Sequence, residues 1–365
     1  MKKLLVVFSI LIVSTLVALT YFYFEAAVRH SIHYIWDDWF NTGANRLLVV
    51  PLSIVLGFLF FGAQHYLDPK SENHESHGLG SAPKPTVVNF IKVLLIGFFS
   101  LVAGASLGPE AILVPASLLI GSIVGVKLFK KDKQLAGMLS MVGFIALFAA
   151  FFDSFIAGIL GLVLVTKEVK VKVTPPLAVV AVIASLTTVY VLSFLESSPF
   201  VNTPPHVWKF SIQSLLACIG LVAAGYGATY LLGNAHSGFA RVRKAIHKRT
   251  WWQRSIVAAL GLSVLYLLGG SLIEFTGNES IVPMIEQSAS LGLSGLIVVV
   301  LMKILAISWS KAMGYRGGLV FPSVFVASTL VVIAHTWAPE LSFIVGLIAV
   351  LVGMFTADRK VKILV

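Results

Sequence analysis

Two stretches of this sequence place glycines, a proline and polar groups between apolar runs. They are Gly104-Ala105-Ser106-Leu107-Gly108-Pro109-Glu110 and Met313-Gly314-Tyr315-Arg316-Gly317-Gly318-Leu319-Val320-Phe321-Pro322-Ser323. The chemistry available to them is anion binding. A proline fits the first turn of a helix, where its missing N–H is not needed, and glycine permits the tight backbone entering that turn. The N–H groups left over carry about half a positive charge and can receive an anion. The candidate anion-binding residues are Ser106, Leu107, Gly108, Pro109 and Glu110 in the first stretch. In the second they are Gly317, Gly318, Leu319, Val320, Phe321 and Pro322. Glu110 has two readings: a gate, or an acid that steadies the positive end of its own helix by up to about 1 kcal/mol, the latter being the primary expectation. Arg316 either raises the local anion concentration or is an ordinary basic residue at a membrane edge.

The elements that must position these residues are membrane helices. Of the 365 residues, 58% are hydrophobic and only 12% charged, with a mean hydropathy of +0.93, which excludes a soluble globular protein. About twenty apolar residues span a bilayer, and on the order of ten such stretches are present. The formal charge of +11 sits mainly in short loops, at Lys2-Lys3, Lys130 to Lys133, Lys167 to Lys172 and Arg241 to Arg254. That distribution orients membrane proteins, so no nucleic-acid partner is expected. The one cysteine, Cys218, reads as a small packing residue.

In chain order, the basic start and Leu4 to Tyr23 read as the first spanning helix, not a cleaved signal, with the N-terminus in the cytoplasm. A polar linker with Trp36, Trp39 and Arg46 follows, its tryptophans suited to the membrane interface. A second span is expected at 47 to 64, and the N-terminal helices close at residue 66. Residues 67 to 86 complete a polar loop. His65, His74 and His77 lie near Asp68, Glu72 and Glu75 there, but their spacing matches no recognised ligand pattern, so neither metal nor cofactor is expected. Gly80-Ser81-Ala82-Pro83 offers a weak third helix start. Later spans are expected near 175–195, 210–232, 255–270, 291–308 and 323–337, with an exposed basic loop at 240–254 and a last apolar run from Leu341 to Phe355.

Paired Gly/Pro interruptions in corresponding halves point to a transport site. Downstream of each, a similar string occurs: Ile145 to Phe152, and Ile348 to Phe355. The halves therefore read as repeats, 87–200 with its break at 104–110 and 201–365 with its break at 314–322. The second copy stops within ten residues of its string, so its last helices are expected to be missing, either dispensed with or truncated away. The fold class expected is all-α, a polytopic integral membrane protein with inverted repeats and broken helices.

The breaks and their order resemble the CLC family of chloride channels and proton/chloride exchangers, over residues 87 to 356. The family's Gly-Arg/Lys-Glu-Gly-Pro is met by Ala105-Ser106-Leu107-Gly108-Pro109, and its Gly-x-Phe-x-Pro by Gly318-Leu319-Val320-Phe321-Pro322. Asp153 to Leu160 looks like the family's Asn-Ala-Pro-Leu-Ala-Gly-Ile-Leu. The resemblance implies a homodimer in the plasma (inner) membrane with one path per subunit for chloride or a similar small anion. It places anion-holding backbone N–H groups at Leu319 and Val320. It also puts a gating glutamate where this chain has Leu107, a proton-feeding glutamate near Val165, and an anion-binding tyrosine beyond Val365.

A proton relay needs titratable groups in sequence, so the missing carboxylates favour a passive chloride channel over an exchanger. The alternatives are a proton-coupled exchanger using Glu110, a non-conducting membrane protein, and an intramembrane serine protease built on Ser294 and His335. No enzyme activity is expected.

Overall fold

The computed structural model describes residues 2–69, 84–130, 132–168, 171–195 and 211–364. Among them every regular element is a helix, and eight helices are long and apolar enough to cross a membrane. The chain is an integral, multi-pass membrane protein. It divides into two compact units: Met1–His30, His74–Phe98 and Ala111–Val201 make one, and Ser31–Asn73, Phe99–Glu110 and Asn202–Val365 make the other.

The first unit holds most of α1 (Lys2–Ile32), the start of α3 (Val87–Val102), most of α4 (Glu110–Leu128), and α5 (Lys133–Phe152), α6 (Phe155–Glu168) and α7 (Pro175–Ser193). Its helix ends follow local chemistry. The Asp132 side chain accepts the Leu135 N–H at 3.1 Å to start α5, and Pro175 and Pro176 occupy the first turn of α7. Asp153, at φ 44°, takes the left-handed conformation that ends α5 before α6. Helices α5, α6 and α7 pack on one another, and Ser140 Oγ donates to the Leu118 carbonyl to join α5 to α4.

The second unit carries both breaks. It contains α2 (Val49–Leu67), α8 (Ile212–Ile246), α9 (Trp251–Gly269), the short α10 (Ile281–Glu286), α11 (Ser288–Met313), α12 (Val320–His335) and α13 (Phe343–Val361). Helix α8 packs on α13 and α11, and α2 packs on α9. Thr229 Oγ1 of α8 donates to the Met354 carbonyl of α13 at 3.3 Å. Thr250 and Gln253 form a reciprocal cap that starts α9.

Four expectations need correction. Helix α1 does not end near Tyr23 but runs to Ile32 and continues as a π-helix over His33–Trp39. No glycine or proline occurs before Gly43, so nothing local stops it. Trp36, expected at the membrane interface, is buried, and its indole N–H donates to the Val102 carbonyl at 3.0 Å. The basic loop at 240–254 is largely helix: α8 absorbs Arg241, Arg243 and Lys244, whose positive charges suit its negative end. The last apolar run likewise continues beyond Phe355 to Val361. Gly80 to Pro83, together with Glu72, His74, Glu75 and His77, lies outside the described residues, whereas His65 stacks on Trp251 with ring centroids 6.0 Å apart.

Candidate anion site

The first break separates α3 from α4. Gly104, at φ +93°, takes the left-handed turn that reverses the chain after Val102. Its carbonyl accepts the Tyr266 hydroxyl, whose oxygen in turn accepts the Phe275 N–H at 2.9 Å. Ser106 N donates to Ser310 Oγ at 3.1 Å, and the Leu107 carbonyl accepts Thr276 Oγ1 at 2.8 Å. Helix α9, the 274–276 segment and α11 thus brace this irregular backbone. A membrane protein requires such bracing, because unpaired N–H and C=O groups at membrane depth cost several kcal/mol each.

The second break separates α11 from α12. Gly314, at φ +92°, ends α11, and the Arg316 N–H donates to Ser100 Oγ at 2.7 Å. The Gln64 carbonyl oxygen, with its amide turned to fit, lies 3.1 Å from Arg316 Nε and Nη2. Arg316 is therefore half-buried against α2. Leu319 is the N-cap residue of α12, and its carbonyl accepts both Ser323 N and Ser323 Oγ. Pro322 is the third residue of the helix.

The two breaks meet. Gly108 N donates to the Gly318 carbonyl at 2.8 Å, and Gly318 N donates to the Gly108 carbonyl at 2.7 Å. The two glycine amides are thus spent on each other. The amides of Val320 and Phe321 face a side chain: Glu110 Oε1 accepts from Val320 N at 2.7 Å and from Phe321 N at 3.4 Å. Glu110 starts α4, yet its carboxylate fills the start of α12. A Cβ on Gly108 or Gly318 would run into that carboxylate, so a side chain at either position would have to displace it. A Cβ on Gly317 would meet the Leu107 side chain. Glu110 Oε2 is buried at the site without a hydrogen-bond partner among the described residues. Leu107, Leu319 and Phe321 are buried. Pro109, directly before α4, has no N–H to offer.

The structure therefore brings all eleven residues of the sequence-derived candidate set to one place, with unequal parts. Sequence reasoning missed the braces Tyr266, Thr276, Ser310 and Ser100. It also missed Lys303, the one charged residue between Ser288 and Ser310, although an ionisable residue inside a span is itself a signal. Ser294 lies exposed on α11, while His335 ends α12 with Nε2 2.8 Å from the Leu341 carbonyl.

A family model described as "Voltage gated chloride channel" matches residues 71–358, most of the chain and both breaks. The chain belongs to the voltage gated chloride channel family. It is similar to proteins named for ion transport, YfeO of Salmonella newport (strain SL254) and of Salmonella agona (strain SL483). It is 26% identical to each over 257 residues, 67% of this chain and 58% of the relative. Its fold is that of a CLC-type fluoride/proton antiporter, with a TM-score of 0.71, 16% identity and coverage of 98% of this chain and 87% of that one. A slow cyanobacterial Cl-/H+ antiporter has the same TM-score at 18% identity, covering 97% of this chain and 94% of the other. The broken helices of α3–α4 and α11–α12 are thus the family's architecture. Leu107 stands where the sequence resemblance implies a glutamate before Gly-Pro, while the Glu110 carboxylate reaches the start of α12 from three residues further on.

Proposed function

We propose that this chain conducts chloride or a similar small anion passively across the membrane, with its anion seat at the N-terminus of α12 and Glu110 as the group that closes it. One observation carries this reading. Glu110 Oε1 sits on the Val320 and Phe321 amides, where a permeating anion would sit. A carboxylate and a halide compete for the same N–H groups and the same helix end. Conduction requires a seat that binds weakly enough to release, and a displaceable carboxylate provides the exchange partner. The remaining candidate residues shape the seat: Ser106 to Pro109 bring Glu110 to it, and Gly317 to Leu319 with Pro322 aim α12.

Passive conduction is preferred because Leu107 and Val165 stand where the resemblance implies carboxylates, which leaves a proton relay without its series of titratable groups. Proton-coupled exchange is the second reading, favoured by Glu110 itself, a buried acid at the seat whose Oε2 has no partner. The homodimer with one path per subunit, and the plasma (inner) membrane as its location, follow from the family resemblance.

The test is chloride efflux from liposomes holding the purified protein, with a potassium ionophore to balance charge and a pH electrode outside. Chloride release without matched proton movement is the expected result. Release with stoichiometric proton uptake would establish the exchanger, and absence of release would leave a non-conducting membrane protein.

A further inference from the structure

Helix α11 buries Lys303 completely. Its Nζ donates to three main-chain carbonyls of one segment, those of Ile273 at 3.0 Å, Glu274 at 3.4 Å and Phe275 at 2.6 Å. It also stands 5.2 Å from the centroid of the Phe325 ring. Three acceptors match the three N–H groups of an ammonium, whereas a neutral amine would turn its lone pair on one of the oxygens. The aromatic face adds an attraction that only a cation feels. That geometry fits a charged lysine.

Its surroundings do not neutralise it. The Glu274 carboxylate lies 2.7 Å from Arg46 Nη1, and Arg46 Nη2 donates to the Tyr266 carbonyl at 2.7 Å. The Glu274 carboxylate pairs with Arg46, and Lys303 reaches only that residue's main-chain carbonyl. Carbonyl dipoles satisfy the hydrogen bonds of Lys303 without cancelling its charge, and buried charge left uncompensated is unfavourable. Phe325 lies on α12 one turn beyond Phe321, so the ammonium stands on the order of 10 Å from the seat by helix rise. At that distance inside protein, a fixed positive charge favours any anion that occupies the seat.

We propose that Lys303 is the buried cation that sets anion occupancy at the α12 N-terminus, acting through its charge without touching the anion. This rests on the seat reading above, and it gives the seat a preference for anions that helix-start amides alone would supply only in part. Lys303 also holds the segment that carries Thr276 to the Leu107 carbonyl, so charge and propping must be separated.

Chloride titration by calorimetry separates them, using purified full-length protein carrying Glu110→Ala so that the seat is open. In that background Lys303→Gln, which keeps N–H donors and loses the charge, is expected to weaken chloride binding about tenfold, while Lys303→Arg stays within about threefold. Compared at pH 8, where the Glu274 carboxyl is ionised, Glu274→Gln removes the negative charge paired with Arg46 and is expected to tighten chloride binding about threefold, a gain that structural damage does not imitate and that carries the test should Lys303→Gln fail to fold. No chloride binding by the Glu110→Ala protein would overturn the seat and this proposal with it. Chloride binding unchanged by Lys303→Gln, or not tightened by Glu274→Gln, would overturn the role of Lys303 alone.

Discussion

Glu110 Oε1 lies 2.7 Å from the amide nitrogen of Val320, a residue 210 positions away in sequence. The first residue of α4 thereby caps the first turn of α12. Hydrogen bonds to a charged group are worth about 1.5–3 kcal/mol each, so a permeating anion displaces a real competitor.

Removing that competitor opens the seat. Glu110→Ala is expected to raise chloride efflux from liposomes by roughly three- to tenfold, since one charge-assisted bond corresponds to about that factor or more. Efflux equal to or below that of the unmodified protein would show that the carboxylate supports the path instead of closing it.

Bulk at the glycine bridge acts in the opposite direction. A side chain at Gly318 or Gly108 would displace the Glu110 carboxylate and put its own bulk in the place that carboxylate fills at the seat. Gly318→Val and Gly108→Val are expected to abolish efflux while the protein still inserts and purifies. Normal flux in both variants would remove these residues from the site.

The braces are expected to register as stability. Thr276→Val leaves the Leu107 carbonyl without its hydroxyl donor, and Tyr266→Phe leaves both the Gly104 carbonyl and the Phe275 N–H without a partner. A buried group stranded in this way costs about 1–3 kcal/mol, so Tyr266→Phe should lower the melting temperature in detergent more than Thr276→Val. The reverse order would mean that Tyr266 is not the principal brace.

Glu274 gives the fold a pH dependence. Burial pushes its carboxyl up to about 7 from an ordinary 4.5, against the pull of Arg46. The folded chain therefore holds a proton that the unfolded chain has already released, and stability from this group is present below about 4.5 and lost as pH rises through about 7. Glu274→Gln is expected to flatten the decline in melting temperature between those values, and an unchanged slope would assign it to another group.

Much of this arrangement is legible locally. Gly104, Pro109, Gly314 and Pro322 interrupt apolar runs, and such interruptions reveal themselves without knowledge of any partner. The ends of α1 and α8 are not legible in this way, because hydropathy marks where lipid ends while a helix continues until something breaks it. The burial of Trp36 goes with a hydrogen bond to the Val102 carbonyl, 66 positions away, which no local pattern announces.

Composition and glycine–proline spacing thus determined by themselves that the chain is a helical membrane protein with two broken helices, because hydrophobic transfer and backbone freedom act residue by residue. Only the tertiary structure decided that the Gly108 and Gly318 amides serve each other, that Glu110 caps α12 and not α4 alone, and that Arg46 pairs with the Glu274 carboxylate while Lys303 takes the main-chain carbonyls of the same segment. Each of those outcomes depends on which distant group packing brings within 3 Å or so, since hydrogen bonds and buried charges answer to distance in space and not to spacing along the chain.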